Sequence, residues 1–190
     1  MTKHLFLFIV CTLLCSACRA GLPEGKEISL PELGISITIP EAFSEAGAEE
    51  LTSVQVNNAA AEPLKPFQDH PYTLFRGPNG ESLLISKLTL LDPSFAWTSP
   101  EHSLYEYHRS LENHYNTTIP AEDAVNDRYS TVLLRLSFVT GQGTFSLDRG
   151  LYHYGDGRYL MVDLYSNKEA LSEAEKKVYD RIFRSFIVKQ

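Results

Sequence analysis

Apolar and polar residues along this chain change period several times, and each change marks an element. Ile35, Ile37 and Ile39 alternate with Ser36 and Thr38 and stop at Pro40, the two-residue period of a half-buried strand. Gly34 ahead of them predicts a turn leading in from Ile28–Leu30. Residues 41–50 are acidic and alanine-rich and predict a short helix or loop. Leu51–Val56 and Tyr72–Phe75 read as short strands, and the prolines between Ala59 and Pro71 argue for an irregular connection. Ser82–Leu91 is a richer strand with apolar atoms for both faces. The period then lengthens over 98–116, where Leu104, His108, Leu111 and Tyr115 form one helical stripe behind a Thr98 or Ser99 cap and Pro100.

After Ile119-Pro120 the pattern predicts an acidic loop, and from Tyr129 three strands in succession: Tyr129–Val139, Thr144–Tyr154 and Arg158–Ser166. Their connections, Thr140-Gly-Gln-Gly143 and Gly155-Asp-Gly157, read as hairpin turns because glycine tolerates positive φ. Val132, Leu134, Leu136 and Phe138 make one apolar face, as do Leu160, Val162 and Leu164, while Tyr159, Met161 and Tyr165 line the other side of the last strand. Strands apolar on both sides imply a sheet covered, at least partly, on both. A final helix starts at Ser172, whose hydroxyl and Glu175 predict a capping box. It offers Val178, Ile182 and Phe183 to the core and runs into Phe186-Ile-Val188. With no internal repeat or second linker, residues 28–190 read as one α+β domain.

The Gly34-Ile-Ser-Ile-Thr-Ile-Pro40 strand, the meander of long strands and the terminal helix running into Arg184-Ser-Phe-Ile-Val188 together resemble the PsbP-like superfamily. That resemblance implies a central antiparallel sheet with helices packed on it, an α/β/α sandwich. It also implies a small binding or scaffold module without a shared active site, so no catalytic residue is carried over.

The segment before the domain has a different character. A short basic start is followed by the apolar run Leu5–Leu14 and then Cys15-Ser-Ala-Cys18. This is the pattern of an export signal, and the run is too short for the roughly 20 apolar residues that span a bilayer. Cys15-Ser16-Ala17-Cys18 resembles the lipobox of bacterial lipoproteins, with Cys15 standing where Leu, Val or Ile is usual. The resemblance implies a signal over residues 1–17, a lipid on Cys18 and a polar tether over 18–27. An ordinary secretory signal cut after Ala17 or Ala20 is the alternative. Arg19 in place of an aspartate implies, by the same resemblance, the outer membrane and a periplasm-facing domain. All three cysteines fall within this segment, so the domain must be stabilised by packing rather than by disulfides.

Charge narrows the partners. The chain carries a formal net charge of −7, and no Lys/Arg cluster in its sequence forms a footprint for nucleic acid. Catalytic signals are sparse. His102, His108 and His114 recur every six residues, which turns successive imidazoles to different helix faces; only His108 with Glu112 has ligand spacing, and two ligands do not make a zinc site. There is no Gly-x-Ser-x-Gly elbow, and the glycine pairs precede strands rather than helices. Asp148, Asp156 and Asp163 could meet across strands, although turn and surface roles account for them. Asn116-Thr117-Thr118 fits a glycosylation acceptor, but more simply ends the helix.

The tyrosines Tyr152, Tyr154, Tyr159 and Tyr165 are the candidate partner surface, because tyrosine buries a large ring while keeping a polar tip. The competing reading is a half-buried sheet face under a helix. The expectation is therefore a lipid-anchored envelope module without catalysis, metal or cofactor, meeting the membrane and another envelope protein. An envelope enzyme with an unrecognised carboxylate or histidine site, and a surface-exposed adhesion or structural lipoprotein, are the alternatives.

Overall fold

The computed structural model describes residues 25–58, 67–91, 100–115, 119–123, 130–140, 143–155, 157–168 and 171–189. The signal, Cys18, the tether up to Glu24, Asp156 and Asn116-Thr117-Thr118 lie outside the described residues, as do the side chains of His102, Leu104, His114, Tyr115 and Phe138.

Ten strands and three helices follow one another among these residues. Strands β1 (Gly25–Leu30), β2 (Ile35–Pro40) and β3 (Ser44–Glu45) precede helix α1 (Ala48–Asn58). Strands β4 (Phe67–Arg76) and β5 (Ser82–Leu90) lead to helix α2 (Pro100–Tyr115). Then come β6 (Ala121–Asp123), β7 (Ser130–Thr140), β8 (Gly143–His153) and β9 (Tyr159–Ser166), followed by helix α3 (Glu173–Arg184) and β10 (Ile187–Val188). A seven-stranded antiparallel sheet runs in the order β3-β4-β5-β9-β8-β7-β6, and a separate sheet in the order β1-β2-β10.

The two-residue side-chain period of a strand sorts the interior into two cores, one on each face of the large sheet. Leu160, Val162 and Leu164 of β9 and Tyr152 of β8 join Ile35, Ile37 and Ile39 of β2 and Tyr179, Ile182 and Phe183 of α3. Tyr159 and Met161 of β9, Leu147 and Leu151 of β8, and Val132, Leu134 and Leu136 of β7 instead face Tyr107 and Leu111 of α2. The small sheet and α3 thus share one outer layer, and α2 covers the opposite face. This is the α+β sandwich expected from strands apolar on both sides.

β4 changes cores part-way along. Pro71 pairs with Ser86 but Thr73 pairs with Ile85, which leaves Tyr72 as an extra residue. A one-residue slip swaps the faces, so Phe67 belongs to the second core and Phe75 to the first, although both are odd-numbered. Proline has no N–H for a ladder, and a bulge is where a strand tolerates it. The expected irregular connection therefore ends earlier than the prolines suggested.

Three other expectations are corrected. Leu51–Val56 is helix rather than strand. Glu49 and Glu50 occupy the favourable first turn of α1, and an apolar run this short fits either period. Ala121–Asp123, expected as loop, pairs with Val132–Leu134 as β6. Lys26 and Glu27, expected in the tether, already pair with Ile39 and Thr38 in β1.

The capping box of α3 forms as expected: the Ser172 hydroxyl accepts from the Glu175 N–H, and the Glu175 carboxylate accepts from the Ser172 N–H at 2.9 Å. At the other end Ser185 caps the helix and ties it to the small sheet. Its hydroxyl accepts from the Thr38 N–H at 2.8 Å and lies 2.8 Å from the Ile182 carbonyl. Gly150 lets the helix settle on β8, since a Cβ there would stand 2.6 Å from the Phe183 ring.

Candidate functional site: a buried ion pair and the polar groups around it

An arginine and an aspartate in apolar strands are the least expected residues of the interior. Arg149 on β8 pairs in register with Asp163 on β9, so both side chains point into the second core. Arg149 is 4% exposed and Asp163 is 0% exposed. The guanidinium grips the carboxylate with two parallel bonds, Nε to Oδ1 at 2.8 Å and Nη2 to Oδ2 at 2.7 Å. Its Nη1 donates to the Tyr107 hydroxyl of α2 at 2.6 Å, and the Tyr165 hydroxyl donates to Asp163 Oδ2 at 3.2 Å. Burial works against the charge on Arg149, but the Asp163 carboxylate outweighs it and holds the guanidinium protonated well above its ordinary range. Asp69 on β4 is close enough to feel both charges. Burial raises its pKa, and the Asp163 charge raises it further.

This arrangement fastens α2 to the sheet. Two charges taken out of water need good geometry and full hydrogen bonding to hold, and here they have both. A guanidinium pinned by a bidentate carboxylate and a phenol is a fixed donor set rather than a group ready to exchange protons.

Two further networks bind the first core. On the face opposite Arg149, Arg135 donates to Asp148 Oδ2 at 3.2 Å and to Asp180 Oδ1 of α3 at 2.8 Å. Burial raises the Asp148 pKa, with Arg135 pulling the other way. At the β4–β5 turn the buried Glu81 carboxylate accepts from the Asn79 N–H and side-chain amide and from the Tyr179 hydroxyl at 2.9 Å. Burial pushes this carboxyl up, yet those hydrogen bonds prevail and its pKa lies below the ordinary value. Glu175 goes lower still, to about 2, because Lys168 and the Ser172 cap both hold its anion.

The residues singled out from the sequence fall apart spatially. Asp148 and Asp163 lie on opposite faces of the sheet and do not meet. His108 Nε2 lies 2.9 Å from the Ile119 carbonyl and 3.5 Å from Glu112, and Glu112 accepts from the Ile119 N–H at 3.0 Å. The pair thus ties the chain beyond α2 back onto the helix. Among the described residues no group of three or more His, Cys, Asp or Glu side chains could hold a metal ion.

The tyrosine surface is corrected. Tyr152 and Tyr154 are buried in the first core, where both pack on Phe186, and the Tyr152 hydroxyl donates to the Phe183 carbonyl at 2.8 Å. Tyr159 is buried in the second core against Phe67, and Tyr165 is half-buried beside it. Strand alternation puts the two pairs on opposite faces, so they form no common surface. The exposed large apolar side chains among the described residues are Leu91, Tyr105 and Ile187.

The two-sided antiparallel sheet, with its faces closed by α2 and by α3 with a small second sheet, is a fold shared with a solved PsbP structure. Cyanobacterial PsbP from Synechocystis sp. PCC 6803 superposes with a TM-score of 0.53 at 14% identity, covering 90% of this chain and 95% of that one. The Saccharomyces cerevisiae Ran-binding protein Mog1p gives 0.49 at 13% identity, covering 87% and 96%. LpqN of Mycobacterium tuberculosis, involved in cell envelope biogenesis, gives 0.44 at 12% identity, covering 88% and 91%. At 14% identity the likeness to the PsbP structure is one of fold. No family model and no curated protein matches the sequence.

Proposed function

We propose that this chain is a lipoprotein of the bacterial envelope, anchored through a lipid on Cys18, whose domain binds or assembles with another envelope component without catalysing a reaction. The observation that carries the non-catalytic part is the use made of the buried charges. Arg149, Asp163 and Tyr107 serve one another and join α2 to the sheet. Glu81 and Asp180 likewise join the sheet and its turn to α3. The Cys15-Ser-Ala-Cys18 pattern supports the anchor, and Arg19 after it supports outer-membrane placement facing the periplasm.

Each buried acyl methylene contributes about 0.8 kcal/mol, so two or three chains hold a protein to a bilayer effectively permanently. Mass analysis of the mature protein is expected to find a diacyl or triacyl adduct on Cys18. An unmodified terminus at Cys18 or Gly21 would overturn the anchor. Co-purification from gently solubilised membranes is expected to return a defined envelope partner, and turnover of an envelope substrate by the pure protein would overturn the non-catalytic reading.

A further inference from the structure

We propose that the outward face of α3 lies against the anionic phospholipid headgroups of the membrane that holds the anchor, an inference that rests on lipidation of Cys18. Tyr179, Ile182 and Phe183 turn one side of this helix into the first core. The exposed positions Ala174, Lys177, Arg181 and Arg184 follow one another at steps of three and four, which aligns them along the opposite side. Three of those four are basic in a chain whose net charge is −7. The helix macrodipole accounts for cations in the last turn, where Arg181 and Arg184 lie, but not for Lys177 in the middle of the helix. Acidic neighbours flank the stripe: Glu173 pairs with Lys176 and also feels the charge of Lys177, and Asp180 pairs with Arg135.

Geometry puts this stripe near the anchor. Ser185 at the end of α3 holds the Thr38 N–H of β2, and Thr38 pairs with Glu27 of β1, two residues from the strand's first residue Gly25. The helix end and the entry of the chain therefore belong to one layer. Gly25 follows Cys18 by seven residues, which reach about 25 Å at full extension. A lipid on Cys18 would therefore pull on this layer rather than on the α2 layer. Electrostatic attraction to a charged leaflet fades over about 8 Å at physiological salt, so the tether permits the approach and contact of the stripe with the headgroups is what holds it there.

The test uses the mature lipidated protein in vesicles of phosphatidylcholine alone or with phosphatidylglycerol added. The readout is the rate at which a membrane-impermeant reagent acylates the Lys177 amine. Phosphatidylglycerol is expected to slow acylation about fivefold, the shift that one basic residue at a charged leaflet produces. Raised salt should relieve the slowing. Arg181→Gln should reduce it and Arg181→Glu abolish it, and neither substitution touches the core. Equal rates in the two vesicles, or slowing that requires an added envelope protein and ignores lipid charge, would overturn the proposal. A chain that floats with neither vesicle overturns the lipid anchor and this inference together; one that floats with both but labels equally overturns only the orientation.

Discussion

The two faces of the large sheet are closed by different means. On the first, α3 and the small sheet bring Ile35, Ile37, Ile39, Ile182 and Phe183 onto an apolar floor, and the polar groups sit around it: Ser185 at the helix end, Glu81 at the turn and Asp148 at the sheet. On the second, α2 closes over a charge pair at the centre. Apolar packing has no direction and yields gradually to small changes. A buried pair depends on both partners, because removing one leaves the other charged in a medium that cannot solvate it. The first face is therefore expected to fail by degrees and the second abruptly.

Asp163→Ala should separate them most sharply. It strands the Arg149 guanidinium and is expected to cost about 3–5 kcal/mol in chemical denaturation. Arg149→Met with Asp163→Leu should restore most of that loss; if the double variant were as unstable as the single, the pair would not be the cause. On the first face, Gly150→Ala pushes a methyl group toward the Phe183 ring and should cost about 1–3 kcal/mol. Pairing it with Phe183→Leu tests that contact, since the smaller side chain should recover part of the loss. Tyr107→Phe removes one hydroxyl from Arg149 and should cost about 1.5–3 kcal/mol, with hydrogen exchange rising in α2 and not in α3. Ser172→Ala should cost about 1 kcal/mol with the opposite pattern.

Acid titration gives the smallest and most specific contrast. The Glu175 pKa falls from 4.5 in the unfolded chain to about 2 in the folded one. Its contribution is therefore present above pH 4.5 and lost as pH falls toward 2. The lowered Glu81 acts in the same direction at the same end of α3. Asp69, raised by burial, has the opposite sign: it opposes folding while charged and ceases to do so as it protonates. Glu175→Gln should flatten the acid side of the stability curve, whereas Asp69→Asn should raise stability near neutral pH and steepen the fall. A Glu175→Gln profile that overlays the parent would break the assignment.

The strands and helices with strong periods were legible in advance. Ile35–Pro40, the three strands after Tyr129 and the capped terminal helix stand where alternation, glycine turns and the Ser172–Glu175 pattern put them. Two apolar faces on one strand also announced two cores. Short runs were not legible: Leu51–Val56 suits either period and continues the helix whose first turn carries Glu49 and Glu50. The candidate site was not legible in advance. Asp163 was weighed only as one of three carboxylates that could meet across strands, with a turn or surface role accounting for it, whereas it is fully buried. Arg149 was not singled out, because nothing near Asp163 in sequence indicates that it lies opposite. A charged residue at an inward position between Leu147 and Leu151 was the available signal.

The four tyrosines draw the boundary between the two kinds of information. Sequence alone determined that they alternate on strands, that the chain is acidic, and that a lipobox-like Cys15-Ser-Ala-Cys18 precedes a two-sided domain, since each depends on local order and composition. The tertiary structure decided that Tyr152 and Tyr154 face away from Tyr159 and Tyr165, that Arg149 meets Asp163, and that Lys177, Arg181 and Arg184 of α3 look outward. Those outcomes follow from strand register and from which helix covers which face. Both are set by contacts between residues far apart in the chain, and no local pattern encodes them.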